Sequence, residues 1–188
     1  MAPSSVLPGF APKVRGMTLT TKEVRSTLPC KVSSYAILGE RRQVTPGVLD
    51  DDARYLFNHG QCTALAIALA QRLNTPLKLV VNSFYDQEDY VDFDGDFLDG
   101  ITEIPAEVID EDWWHAVVEV GPDQYLDVAG IISKRDLLLR YFAKEEDGLL
   151  ITTSEDQLYD LPRRCEGAPR PDLPTAELFV DAVLSEFL

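Results

Sequence analysis

The chain has 188 residues, is 45% hydrophobic and carries a formal charge of −15, with 32 Asp and Glu against 17 Lys and Arg. That length suits one domain with a real core, and the charge argues against nucleic acid and anionic membrane surfaces as partners. No apolar run approaches the ~20 residues that a bilayer span needs.

Residues 1–17 contain Pro and Ser but no apolar stretch behind a basic start. They read as a flexible arm rather than a secretory signal, with 18–188 as a single domain. The expected location is the cytoplasm, with delivery into another cell as an alternative. Cys30, Cys62 and Cys165 are an odd number of cysteines with no CxxC pair, which fits reduced thiols better than a disulfide scaffold or a structural zinc site. A Cys30–Cys165 bridge stays open.

Residues 18–28 suggest a short helix stopped by Pro29, and 31–38 a strand. Asp50, Asp51 and Asp52 suit a helix N-terminus, with Ala53–Phe57 following. From Cys62 to about Leu73 the pattern is helical, with Leu65, Leu69 and Leu73 on one stripe and alanines around it. A helix apolar nearly all round belongs at the centre of a fold. Asn74-Thr75-Pro76 ends it, and Leu77–Val81 reads as a buried strand. Residues 86–112 form an acidic, irregular stretch. His115–Val120 and Gln124–Val128 read as strands joined at Gly121-Pro122-Asp123. Ser133 with Asp136 resembles a capping box for a helix to about Ala143. Leu149–Thr152 suggests a further strand. Thr175 is the expected cap of a last helix whose stripe is Phe179, Val183 and Phe187. This order is α+β rather than alternating βαβ.

Three residues carry the chemistry. Cys62 opens the most apolar helix, where the positive end of the helix favours a thiolate. The chain has only two histidines, His59 and His115, and His59 is too near Cys62 in sequence to be the obvious base across a cleft. Asp127 lies in an apolar strand, where a carboxylate is costly unless paired, and an imidazole N–H would satisfy it. Nucleophile, base and orienter thus follow in chain order. The bland alternative is a buried Cys, a strand-end His and a turn Asp. One geometric condition must also hold. A tight hairpin centred on Pro122-Asp123 would pair Val118 with Asp127 and put His115 and Asp127 on opposite faces. A bulge, or a turn centred nearer Gly121, is needed to bring them together.

Gly60-Gln61-Cys62, followed by an alanine-rich helix, resembles the nucleophile motif of transglutaminase-like proteins. His115-Ala116-Val117-Val118-Glu119-Val120 is similar to the histidine strand of bacterial members, and Tyr125-Leu126-Asp127-Val128 to their aspartate strand. The likeness spans about residues 56–130. Thr63 and Val117 stand where the family often has Trp. The resemblance implies a papain-like α+β fold, its central cysteine helix packed on an antiparallel sheet. It also implies a thiol-dependent hydrolase (protease, isopeptidase or glutamine deamidase) that needs no cofactor and acts on a protein or peptide amide. Alternatives are an acyl or transglutaminase-type transferase, and a non-catalytic acidic protein acting as an inhibitor or polyanion mimic.

Around the nucleophile, the Cys62 backbone N–H is a natural oxyanion donor, with the Gln61 or Asn58 side chain as the expected second. Trp113-Trp114 and Phe84-Tyr85 are candidates for an aromatic cleft wall, against plain core or sheet-edge packing. Asp92, Asp94, Asp96 and Glu103 echo the spacing of a calcium loop, but Phe97 occupies the position that such a loop reserves for Gly. The alternative is an acidic, substrate-guarding loop that favours basic peptides. No Walker loop or GxGxxG is present.

Overall fold

The structure, a computed structural model, describes residues 30–82, 113–164 and 167–188. The expected arm at 1–17, the helix at 18–28 and the calcium-loop candidates Asp92, Asp94, Asp96 and Glu103 lie outside them, as do Phe84, Tyr85 and Cys165.

The described residues form a mixed α+β fold with five α-helices. A small hairpin, β1 (Val32–Tyr35) and β2 (Arg41–Val44), precedes α1 (Asp51–Asn58) and α2 (Cys62–Leu73). Then come β3 (Leu77–Asn82), β4 (Trp113–Gly121), β5 (Gln124–Asp127), β6 (Gly130–Ser133), α3 (Lys134–Tyr141), β7 (Gly148–Thr153), α4 (Glu155–Arg164) and α5 (Leu173–Phe187). The main sheet has the order β6-β5-β4-β3-β7, antiparallel throughout. Among the described residues no helix is long and apolar enough to cross a membrane.

The sheet separates two apolar clusters by the two-residue period of its strands. Leu77, Leu79, Val81, Ala116, Val118, Leu126 and Ile151 pack with the α2 side chains. Val80, Val117, Tyr125 and Leu150 point the other way, onto Leu137 and Leu138 of α3. Each fully buried Leu or Val contributes roughly 1.5–3 kcal/mol, so both strand faces are committed and register is strongly set. Every α2 position from Cys62 to Ala70 is buried. This is the central helix that its composition predicts, and its alanines let neighbours approach closely.

Local chemistry sets the helix ends. The Asp50 carboxylate accepts from the Ala53 N–H at 3.0 Å, capping α1, and Asn74 ends α2 in the left-handed conformation. Ser133 caps α3 by accepting from the Asp136 N–H at 3.1 Å, and the helix stops at Tyr141 rather than near Ala143. The expected cap Thr175 is displaced: Asp172 is the cap of α5, and its carboxylate accepts from the Thr175 N–H at 3.2 Å. Pro174 fits inside that first turn because its missing N–H is not needed there.

Candidate active site

The Gly60-Gln61-Cys62 turn has a distinct physical reason at each position. Gly60 sits at φ +134°, and a Cβ there would lie 2.7 Å from the Ile37 nitrogen and 2.9 Å from Pro169 Cγ. Only glycine lets the β1–β2 connection and the 167–172 segment close around the start of α2. The Gln61 side chain then ties both together. Its amide N–H groups donate to the Tyr35 carbonyl at 2.8 Å and the Arg170 carbonyl at 3.1 Å, and its oxygen accepts from the Asp172 N–H at 2.8 Å. Gln61 is 1% exposed. Its amide is engaged at both ends and borders a second cavity of about 580 Å³ rather than the one holding the thiol. The expectation of Gln61 as an oxyanion donor therefore gives way to a tether.

Cys62 is the first residue of α2, and the helical ladder begins only with the Leu65 N–H donating to the Gln61 carbonyl at 3.0 Å. The Cys62 N–H therefore precedes the ladder, as the first N–H groups of any helix do. Although nearly buried, Cys62 lines an open cleft of about 880 Å³. Asn58 and Trp114, both expected at the cleft, line it too, together with His59, Trp113, Arg140 and Tyr141.

Two bulges aim β4 at this cleft. In the β3–β4 ladder Val80 pairs with His115 but Val81 with Trp113, so Trp114 is the extra residue and projects outward, 52% exposed. In the β4–β5 ladder Gly121 pairs with Gln124, but Glu119 pairs with Tyr125 and Val118 with Leu126, so Val120 is the extra residue. The turn is therefore the tight one at Pro122-Asp123, and the bulge moves the register by one. With Val118 opposite Leu126, His115 and Asp127 fall on the same face.

The His115 Nε2 lies 3.1 Å from the Asp127 Oδ2, with both side chains buried. Asp127 is held from two further directions. The Ala129 N–H donates to its Oδ1 at 2.7 Å, and the Arg140 guanidinium donates to its Oδ2 at 2.7 Å. Burial alone would raise the carboxyl pKa. The His115 bond and charge, Arg140 and the Ala129 N–H outweigh it and hold Asp127 below its ordinary value. Burial alone would lower His115. The bond that Nε2–H donates to Asp127, then the nearness and charge of Cys62, then the Asp127 charge outweigh it and raise the imidazole to about 9.

Since Nε2 is taken by Asp127, Nδ1 is the nitrogen left for the thiol. Nδ1 is buried and meets no partner at strict hydrogen-bond geometry among the described residues. The influence of Cys62 on the ring is thus close-range but not an ideal hydrogen bond in this state. Apo sites often tighten such contacts only when substrate binds. The Tyr141 ring stacks over His115, centroids 5.4 Å apart at 29°.

Arg140 and Tyr141 were not legible as site residues. They close α3, beyond residues 56–130. The available signal was the apolar strand around Asp127, whose carboxylate needs more than one imidazole to stay ionised when buried. His59 is pinned at the cleft rim, its ring stacked on Tyr55 with centroids 4.2 Å apart, and its Nδ1 lies 3.0 Å from the Tyr55 carbonyl. Among the described residues no cluster of His, Cys, Asp and Glu could hold a metal ion. No family model, curated protein or solved structure matches the chain.

Proposed function

We propose that this protein is a cysteine-dependent hydrolase with a papain-like, transglutaminase-like fold. Its substrate would be a protein or peptide amide, taken as a protease, isopeptidase or glutamine deamidase takes it. The observation that carries the reading is the meeting of three groups from separate elements: a thiol at the start of α2, an imidazole on β4 and a carboxylate on β5, beside a cleft of about 880 Å³. A strand bulge brings the last two onto one face, and bulges concentrate near functional sites.

In this mechanism the thiol proton passes to the His115 Nδ1, while Asp127 holds Nε2–H and stabilises the imidazolium. The sulfur pair forms the S–C bond at the amide carbon, and the C=O π pair moves to oxygen. When that pair returns, the C–N bond breaks and the leaving nitrogen takes the proton from His115. Water then attacks the thioester and gives a proton to His115; as the intermediate collapses the C–S bond breaks, His115 returns the proton to sulfur, and the acid and the free thiol are released. An amine in place of water would make the same site a transferase. The net charge of −15 favours substrates of opposite sign.

The test is alkylation by iodoacetamide, mapped by mass spectrometry, in wild type and His115→Ala. Cys62 should be modified at about pH 6, faster than the exposed Cys30, and His115→Ala should remove that advantage. A Cys62 no more reactive than Cys30 at any pH would end the catalytic reading and leave the acidic interaction protein as the better account.

A further inference from the structure

A thiol attacking a carbonyl leaves negative charge on oxygen, and sites of this chemistry meet it with preorganised donors. The Cys62 N–H supplies one. The Gln61 amide is spent on three backbone groups, so a second donor must come from elsewhere. The side chains with an N–H or O–H donor lining the cleft, among the described residues, are Asn58, His59, Trp113, Trp114, Arg140 and Tyr141. Arg140 spends one N–H on Asp127 at 2.7 Å, and that ion pair turns its charge toward the carboxylate. The His59 Nδ1 faces the Tyr55 carbonyl at 3.0 Å, and the ring is held by stacking on Tyr55.

Tyr141 is set apart by its place beside the base. Its ring is fixed against His115, and its phenol shares the cleft wall with Cys62. We propose that Tyr141 is a catalytic residue of this site: its phenolic O–H, with the Cys62 backbone N–H, binds the oxygen of the attacked carbonyl as charge develops on it. The inference rests on Cys62 being the nucleophile.

Two features support a donor role. Burial first, then the Cys62 charge, push the phenol pKa up, so the hydroxyl keeps its proton through the neutral range. The neighbouring Arg140 charge opposes this rise without reversing it. A guanidinium can only donate, so Arg140 does not compete for the phenol's own hydrogen. The last turn of α3 thus serves the triad twice, with Arg140 orienting Asp127 and Tyr141 facing the reacting carbonyl.

The experiment uses two reagents on the full chain and needs no knowledge of the natural substrate. With p-nitrophenyl acetate, the S–C(acyl) bond forms, the C–O bond breaks, and p-nitrophenolate leaves with its electron pair through an oxyanion. With iodoacetamide, sulfur displaces iodide at a saturated carbon and no oxyanion forms. Tyr141→Phe keeps the ring and removes only the hydroxyl. The burst of p-nitrophenolate should slow about 100-fold, while alkylation of Cys62 stays within about twofold of wild type. Asn58→Ala, treated the same way, tests the rival side-chain donor of the cleft. Unchanged acylation in Tyr141→Phe, a parallel fall in alkylation, or a loss carried by Asn58→Ala would each overturn the assignment. A wild-type Cys62 inert to iodoacetamide is a different result and removes the hydrolase reading beneath it.

Discussion

Replacing Gln61 by Met tests whether that residue is a tether or a catalytic donor. Methionine keeps the length and much of the volume of the side chain, so the change removes hydrogen bonds with little change in packing. Three bonds vanish: those to the Tyr35 and Arg170 carbonyls and that from the Asp172 N–H. Orphaning a buried backbone group costs about 1–3 kcal/mol. The neighbouring cavity of about 580 Å³ admits water to part of this site, which places the cost near the lower end. The sum is a loss of about 3 kcal/mol. For a chain of this size, a urea dependence of about 2 kcal/mol per molar turns that into a midpoint about 1.5 M lower. The assay is urea unfolding at neutral pH, with acylation of Cys62 by p-nitrophenyl acetate measured in the absence of urea. An unshifted midpoint with acylation reduced about 100-fold would refute the reasoning, because it would make the amide a transition-state donor.

Two further outcomes follow from the geometry. The imidazole of His115 titrates near 9 in the fold, against its ordinary 6.5. Its contribution is therefore complete below about pH 6.5 and is lost as the pH rises through about 9, on the order of 3 kcal/mol. Asp127 acts at the other end: held below its ordinary 3.8, it contributes above that value and loses the contribution as pH falls further. Urea midpoints that do not drop between about pH 6.5 and about pH 9 would contradict the His115 assignment. Leu38 sits at φ 58°, ψ 23° and is 82% exposed. Asn tolerates that conformation better, so Leu38→Asn should raise stability by roughly 0.5–1 kcal/mol. A lower melting temperature would mean that the contact of the leucine side chain with Gly167 outweighs the backbone strain.

Much of this was legible from residue patterns, and what was not has physical causes. The α2 helix announced itself by its leucine stripe and alanine filling, because a helix packed on all sides can use only such residues. The strand β6 and the helix α4 were missed. Gly130–Ser133 is too short to show a period. Glu155–Arg164 is polar and carries Pro162, with Leu158 and Leu161 buried. The strand expected over 31–38 stops at Tyr35, because the chain turns through Leu38 and Gly39 to start β2. The residues Cys62, His115 and Asp127 could be named from their types and surroundings. Whether two of them share a face could not be, since a bulge leaves no mark on a run of Val and Glu. Nor could Arg140 and Tyr141 be assigned, because their relation to Asp127 and His115 exists only once α3 has packed on the sheet.

Val120 works like a one-letter insertion in a reading frame. Every side chain on β4 before it is read out on the face opposite to the one that an uninterrupted ladder would give, while the strand order and the turn are untouched. The facing of His115 toward Asp127 and the sheet architecture are thereby written at different places in the chain. One is a matter of length at a single position, the other of apolar pattern over many. A lineage that shortened this hairpin by one residue would exchange which face of β4 carries its buried valines, so the new frame would demand a repacked core as well as a displaced imidazole. That double demand makes the extra residue hard to lose, and it gives the site a form of protection that no hydrogen bond within it provides.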